Sequence, residues 1–192
     1  MGALEELKSQ FECCRLCSEL TARTQIVFGS GNLKAKVLFI GEAPGGTEDK
    51  QGVPFCGMAG KILNSLLEEV GLVRSDVFIT NTLLCRPPLN RNPTALEMDN
   101  CSVRLDKLID LLDPKVIVTL GNFSTKRILG KSGITSLRGK VFSWKGRTVV
   151  PMVHPAAYLY SGRSSEVFGK MVADLKVVVA EMNCKKKNLS DY

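Results

Sequence analysis

The sequence predicts an α/β fold in which helices cover both faces of a central four-stranded parallel sheet. Four short runs rich in Val and Ile are continuously apolar rather than alternating, which is typical of strands that are covered on both faces. Between and after these runs lie segments in which apolar residues recur at helical spacing. Strands that alternate with helices form parallel sheets, because each helical crossover returns the chain to the same end of the sheet.

The predicted strands and helices follow one another along the chain. The strands are Val37 to Ile40, Val77 to Thr80, Val116 to Leu120 and Val149 to Val153. The helices are Ala59 to Val70, Leu96 to Leu112, Phe123 to Leu129 and a long last helix from Ser165 to Met182. The Gly-rich segment Ser30 to Asn32 and the Pro-rich segment Arg86 to Thr94 are predicted to be loops.

The composition is that of a globular protein of moderate size. Of the 192 residues, 44% are hydrophobic and 23% are charged, which is ordinary for one domain with a core. We predict a single domain over residues 1–182 and a basic C-terminal tail over residues 183–192. No apolar run approaches the roughly 20 residues that span a bilayer, and the first residues lack the basic and apolar regions of a signal peptide. A cytoplasmic protein without membrane contact is therefore expected, and we further predict that it is a monomer.

The charge balance favours a polyanionic partner. The formal net charge is +7, and each Lys or Arg set against a phosphate releases a condensed counterion. Nucleic acid fits this pattern. The alternative is a basic protein that binds no anion, with part of the excess charge in a solvated tail that contains Lys185, Lys186 and Lys187.

Seven cysteines in a chain that is expected to stay in the cytoplasm favour metal binding or buried thiols over disulfides. The candidate ligands are a C-x2-C pair, a residue just after the second predicted strand and one in the next predicted helix: Cys14, Cys17, Cys85 and Cys101. Because the chain has a single histidine, an all-cysteine zinc site and an iron–sulfur cluster both fit, and thiolate chemistry does not separate them. The alternatives are small buried thiols, or a site that uses Cys13, since Cys13 and Cys17 would lie one turn apart on a helix.

Three polar segments follow predicted parallel strands and should converge at one edge of the sheet. Glu42 lies in the Gly-rich turn after the first strand, which fits neither a dinucleotide-binding nor a phosphate-binding glycine motif. Its carboxylate could orient water or stabilise a developing cation, or it could be an ion-pair partner in a loop. His154, the only histidine, follows the fourth strand and is either catalytic or structural.

Two further residues in these loops have alternative interpretations. Asn81 ends the second predicted strand, where its amide could cap the loop or read the edge of a ligand through one donor and one acceptor. Phe55 lies in a Gly- and Pro-containing loop. An aromatic residue at such a position is either a plug for the core or a platform on which a base stacks.

A family resemblance rests on six motifs. They are Gly41-Glu42-Ala43-Pro44-Gly45, Glu48-Asp49-Lys50-Gln51-Gly52-Val53-Pro54-Phe55, Thr80-Asn81, Cys85-Arg86-Pro87-Pro88, Asn90-Arg91-Asn92-Pro93-Thr94 and His154-Pro155. In this order and at this spacing, from about Cys14 to Asp174, the sequence resembles the family 4 uracil-DNA glycosylases, which contain a 4Fe-4S cluster. The resemblance also implies the four-stranded parallel sheet of that fold.

The resemblance implies a role for each candidate residue. Glu42 and His154 fall on the catalytic positions. Phe55 falls on the base-stacking position and Asn81 on the uracil-reading position. The full set of substrate-binding positions is Gly41, Ala43, Phe55, Asn81 and Asn90. The cluster ligands are Cys14, Cys17, Cys85 and Cys101.

By this resemblance the protein is a monofunctional hydrolase that excises uracil from double- and single-stranded DNA for base excision repair. The loop over residues 156–163 is expected to approach the minor groove with an apolar wedge and a basic tip. The rival interpretations are a non-catalytic DNA-binding module, a family 5 glycosylase and a phosphate-ester enzyme. Glu42 argues against family 5, whose first motif lacks this carboxylate. The absence of a phosphate-cradling lysine argues against a phosphate-ester enzyme.

Overall fold

A mixed six-stranded sheet lies at the centre of the computed structural model, which describes residues 2–20 and 22–184. The strands are β1 (Ser30–Gly31), β2 (Val37–Gly41), β3 (Phe78–Asn81), β4 (Val116–Leu120), β5 (Phe142–Trp144) and β6 (Arg147–Met152). Their order across the sheet is β1-β3-β2-β4-β6-β5.

The four middle strands correspond to the four predicted strands, and they run parallel to one another. The two edge strands are antiparallel to their neighbours, β1 to β3 and β5 to β6. The prediction of a four-stranded, wholly parallel sheet is therefore wrong in the number of strands and at both edges. The α/β class itself is confirmed.

Both missed strands are short. β1 has only two residues and lies in the segment that the sequence predicted to be a loop. β5 joins β6 through a two-residue turn at Lys145 and Gly146, whose φ angles are 46° and 76°. Such a turn matches the twist of a tight hairpin, and it starts β6 two residues earlier than the predicted strand.

Eight helices, α1 to α8, surround the sheet in the described ranges. They are Ala3–Glu12, Gly46–Gln51, Met58–Glu68, Ala95–Leu112, Asn122–Leu129, Ile134–Leu137, Ala156–Tyr160 and Ser165–Asn183. The four predicted helices are α3, α4, α5 and α8. α4 begins where the side chain of Thr94 accepts from the backbone N–H of Glu97, and the Glu97 carboxylate accepts from the backbone N–H of Thr94.

Two short helices change the expected local structure. α7 occupies part of the segment after His154 that was predicted to be a loop. α1 ends at Glu12, so Cys13 and Cys17 do not lie one turn apart on a helix. That basis for a site at Cys13 is therefore wrong.

The core has two parts because β2 is buried along its whole length. Leu38 and Ile40 face one cluster of apolar side chains, to which α1, α4 and α5 contribute. Val37 and Phe39 face the other cluster, against α3 and α8. Each such apolar side chain contributes roughly 1.5–3 kcal/mol on burial. The alternation confirms helices on both faces of the sheet.

Among the described helices, none is long and apolar enough to cross a membrane. The single-domain assignment over residues 1–182 stays a prediction. The predicted tail falls largely outside the described residues, and α8 includes its first residue, Asn183.

Candidate active site

The carboxyl ends of β2, β3 and β6 open into one cleft of about 520 Å³. Its walls contain six of the seven catalytic and substrate-binding candidates: Glu42, Ala43, Phe55, Asn81, Asn90 and His154. The predicted convergence of the three polar loops is confirmed. It follows from the parallel pairing of β2 with β3 and β4 and of β4 with β6, which places these strand ends at one edge.

Glu42 directly follows β2 and is half-buried. Burial raises its carboxyl pKa above the usual 4.5. No Lys or Arg of the described residues forms an ion pair with Glu42. The alternative interpretation, in which Glu42 is an ion-pair partner in a loop, therefore has no support among these residues. A carboxylate without a fixed counter-charge can act on a cation or a water molecule that enters the cleft.

His154 is held in one tautomer by the turn into α7. The backbone N–H of Ala156 donates to His154 Nδ1 at 3.2 Å, so in the neutral ring the proton is on Nε2. Burial lowers the pKa of His154 to about 4, and the opposing effect of Glu48 is smaller. At neutral pH the side chain is therefore an uncharged imidazole that offers an N–H donor.

Gly41 makes room for two of the predicted base-binding residues. A Cβ at this position would lie 2.6 Å from a ring carbon of Phe55 and would also collide with Asn81 Oδ1. The Phe55 ring lies 5.5 Å from the His154 ring between centroids. Gly41 thus lies beneath the site instead of lining it, and any side chain there would displace Phe55 and Asn81.

Asn81 has an unpaired acceptor. Its side chain is 2% exposed, and no described residue donates a hydrogen bond to Oδ1. A buried polar atom without a partner costs about 1–3 kcal/mol. A ligand N–H in the cleft would offset that cost.

Phe55 adopts a backbone conformation that is unusual for a residue with a side chain, with φ of 51°. Arg74 donates from Nη1 to the carbonyl of Phe55 at 2.9 Å and from Nη2 to that of Pro54. Gly60 also lies against the Phe55 carbonyl, where a Cβ would collide with it. Neither Arg74 nor Gly60 was identified from the sequence, because their role depends on a contact that only folding creates.

Asn90 lies on the exposed side of the cleft in a short 3-10 turn. Its φ is 55°, and its Oδ1 accepts from Arg86 Nε at 2.7 Å. Its amide nitrogen and the second lone pair of Oδ1 are the groups with which Asn90 can meet a ligand.

The cleft also contains residues that sequence reasoning did not assign to the site: Gly45, Glu48, Ala59, Asn92, Ala156, Ala157 and Tyr160. Glu48 accepts from the backbone N–H of Gly57 at 3.0 Å, just before α3 begins. The signal that could have identified Glu48 is its position in the same motif as Phe55.

The four candidate metal ligands lie apart from the cleft: Cys14, Cys17, Cys85 and Cys101. The first two are half-buried and the last two are buried. Arg23 holds the N-terminal segment by donating to the carbonyl of Cys14 at 2.6 Å, and Asn100 Nδ2 lies 3.4 Å from Cys17 Sγ. Burial raises the pKa of Cys85 to about 12; Arg23 opposes this shift, and the other three thiols add to it.

These mutual effects place the four thiols in one neighbourhood. The described side chains include no group of three or more that is placed to hold a single metal ion. That finding concerns a single ion, and a polynuclear iron–sulfur cluster would instead be held by the four thiolates together. The donor set of four cysteines is the one that such a cluster uses.

The fold and the cleft define an α/β protein whose site lies at the carboxyl ends of parallel strands. The family model for the uracil DNA glycosylase superfamily matches residues 28–176. A type-4 uracil-DNA glycosylase of Sulfurisphaera tokodaii is 47% identical over 84% of this chain and 78% of its own length. One from Archaeoglobus fulgidus is 39% identical over the full length of both chains. The chain therefore belongs to the type-4 uracil-DNA glycosylases, which confirms the resemblance.

The comparison with a type-5 relative bears on the family 5 alternative. A type-5 uracil-DNA glycosylase of Pyrobaculum aerophilum is 31% identical over 66% of this chain and 63% of its own length. Both its identity and its coverage are lower than those of the type-4 relatives. The type-4 assignment is thus favoured by the identity and coverage over the chain as well as by Glu42.

Proposed function

We propose that this protein hydrolyses the N-glycosidic bond of deoxyuridine in DNA, releasing uracil and leaving an abasic site. The observation that carries the proposal is the unpaired Oδ1 of the buried Asn81 in the cleft. Uracil carries an N–H at N3 beside a carbonyl at C4, and a side-chain amide can accept from the first and donate to the second. Cytosine presents the reversed pattern and leaves both groups of the amide unpaired.

The rest of the cleft suits an extruded base. To reach it, a uracil in a duplex must leave the stack, at a cost of a few kcal/mol that is lower for a mispair. Stacking against Phe55 offsets part of that cost. The constrained φ of Phe55 and the hydrogen bonds from Arg74 keep the ring in place before the base arrives.

The chemistry is divided between His154 and Glu42. When the bond between C1′ of the sugar and N1 of uracil breaks, its electron pair stays with the base. The neutral His154 donates from Nε2 to uracil O2 and stabilises that anion. Glu42 stabilises the cationic sugar and orients the water whose oxygen bonds to C1′. No amine need attack the sugar, so the strand is left intact.

DNA, double- or single-stranded, is the proposed partner. A polar hollow of about 400 Å³ lies beside the cleft and contains Lys50 and Arg86 together with Thr47. Arg86 joins the two sites, because it also bonds to Asn90. These cations suit the phosphates that flank the extruded nucleotide. The monomeric state and the cytoplasmic location stay predictions.

A 4Fe-4S cluster is the proposed cofactor. Its ligands are Cys14, Cys17, Cys85 and Cys101, whose thiols share one neighbourhood as described above. When bound, the cluster supplies a cross-link between the N-terminal segment and the loop after β3. The chemistry of bond cleavage is left to the side chains of the cleft.

The function is tested by alkali-developed cleavage of oligonucleotides that carry uracil, hypoxanthine or thymine opposite guanine, in duplex and single-stranded form. We expect abasic sites from uracil and no strand break before alkali. DNA that is bound without any abasic product would instead favour a non-catalytic binding module.

Replacing Asn81 with Ala is expected to lower kcat/KM for uracil about 100-fold, because two base hydrogen bonds are lost at about 1–3 kcal/mol each. Asn92→Ala is the matched control, since Asn92 also lines the cleft but is exposed. Steady-state kinetics on one uracil-containing duplex compares the two. Equal losses would show that Asn81 does not read the base.

Replacing Cys101 with Ser is expected to remove most of the bound iron, because a serine oxygen is a poor ligand for iron that sits among sulfurs. Cys56→Ser is the control outside the four-cysteine set. Iron content and a broad absorbance near about 400 nm are the measurements. A colourless wild-type protein with stoichiometric zinc would overturn the cluster.

A further inference from the structure

The side chain of Arg104, on α4, is fully buried. No carboxylate of the described residues forms an ion pair with it. A buried charge without a counter-charge is strongly disfavoured. The fold must therefore supply a compensating charge from another source.

The hydrogen-bond partners of Arg104 are neutral and lie at the end of β3. Nη1 donates to Thr80 Oγ1 at 3.1 Å. Nη2 donates to the carbonyl of Asn81 at 2.7 Å and to that of Thr82 at 3.0 Å. Nε has no partner among the described residues. The guanidinium thus holds the two backbone carbonyls that directly follow the Cα atom of Asn81.

Besides the ring of Phe28, whose centroid lies 5.7 Å from Arg104 Cζ, the neighbours of Arg104 include two of the proposed cluster ligands. Cys101 lies three residues earlier on α4, almost one turn away. Cys101 and Cys85 lie close enough that their thiolate charges, when they bind the cluster, would act on the guanidinium, whereas the nearby Arg127 acts against it. Four thiolates around an oxidised 4Fe-4S core carry a net negative charge. Arg104 therefore lies between that charge and the end of β3 that bears Asn81.

We propose that Arg104 is a positioning residue that couples the cluster to uracil recognition. The negative charge of the four-cysteine cluster balances the buried guanidinium, and the guanidinium fixes the carbonyls of Asn81 and Thr82. The side-chain amide of Asn81 is thereby held in the position from which it can form hydrogen bonds to the base. This inference rests on the proposed function, and it gives the cluster an influence on the cleft without any part in bond cleavage.

The experiment compares R104M, R104K and R127M in the full-length, iron-loaded protein. Lysine keeps the charge but lacks the planar fork that can hold two carbonyls together. R127M is the matched control, since Arg127 comes from the same neighbourhood but pairs with Asp106 at 2.7 Å. The measurements are the rate of iron loss to a chelator, followed by absorbance, and KM and kcat for uracil release.

For R104M we expect at least about tenfold faster iron loss and at least about tenfold higher KM, with a smaller change in kcat. R104K should retain iron like the wild type and still show a raised KM. R127M should change both by less than about twofold. Iron retention in R104M that equals that in R127M overturns the inference, as does iron loss from R104K as fast as from R104M.

The iron measurement separates this inference from the proposed function. A wild-type protein that releases no uracil contradicts the function, whereas the order of iron loss among the variants still tests the counter-charge. If R104M fails to fold, the comparison of R104K with R127M still tests the inference. A KM of R104K equal to that of the wild type would overturn the positioning role.

Discussion

Replacing Glu42 with Gln is expected to lower kcat for uracil release by about 10²–10⁴-fold and to leave DNA affinity nearly unchanged. Glutamine has almost the same shape but no charge, so it loses the attraction that grows as the sugar becomes cationic. The free carboxylate of Glu42, which has no ion-pair partner among the described residues, makes this charge available to the substrate. Single-turnover release of uracil and fluorescence anisotropy with uracil-free DNA measure the two quantities.

Glu48→Gln is the matched control for this substitution. Glu48 is a second carboxylate of the cleft, but its Oε1 is engaged by the backbone N–H of Gly57, and a glutamine oxygen can accept the same bond. We expect its kcat to stay within about tenfold of the wild type. Equal losses in the two variants, or a fall in DNA affinity as large as the fall in kcat, would assign Glu42 to the structure of its loop.

The pH dependence of the wild-type protein tests the same residue. The proposed role of Glu42 requires its ionised form, and burial raises its pKa above 4.5. Activity should therefore be full above this raised pKa and fall as the pH is lowered through it. E42Q lacks the carboxyl group that causes this acid limb, so its residual kcat should not follow it.

The convergence of the site could be predicted from the sequence because parallel pairing follows from short, continuously apolar strands. Glu42, Asn81 and His154 each stand at or just after the end of such a strand. The fold rule then brings them to one edge, where the cleft is found. The roles of Phe55 and Asn90 needed the family resemblance, because neither follows a strand directly.

The supporting residues could not be predicted because their partners are distant in the sequence. Arg74 holds Phe55 across 19 positions, and Arg104 holds Asn81 across 23. A sequence read alone offers each of them as an ordinary charged residue. The edge strands β1 and β5 were missed for another reason, since two or three residues are too few for an apolar pattern to be recognised.

The protonation state of His154 also depends on detail that the sequence does not contain. A lone histidine after a strand could carry its proton on either nitrogen or on both. The turn that brings the backbone N–H of Ala156 to Nδ1 decides this, and burial then keeps the ring neutral. The same two features determine what the residue can do, because only a neutral ring with its proton on Nε2 is an uncharged donor at that nitrogen.

Replacing His154 with Ala is therefore expected to lower kcat by about 10²–10³-fold, the typical cost of removing one donor to a developing anion. In the wild type the histidine should cause no loss of activity as the pH is lowered through 6.5, since its pKa is about 4. Unfolded chains would take up a proton there, so the contribution of neutral His154 to stability should decline as the pH falls from 6.5 toward 4.

Nitrogen-15 spectra of the imidazole measure this state without ambiguity, because the chain has one histidine. We expect a protonated Nε2 and an unprotonated Nδ1 from neutral pH down to about 4. Pro155→Ala is the control: the N–H of Ala156 is retained, so both the tautomer and kcat should be kept. A ring that titrates near 6.5, or H154A with nearly wild-type kcat, would remove the neutral donor from the mechanism and leave stabilisation of the uracil anion to the Asn81 amide.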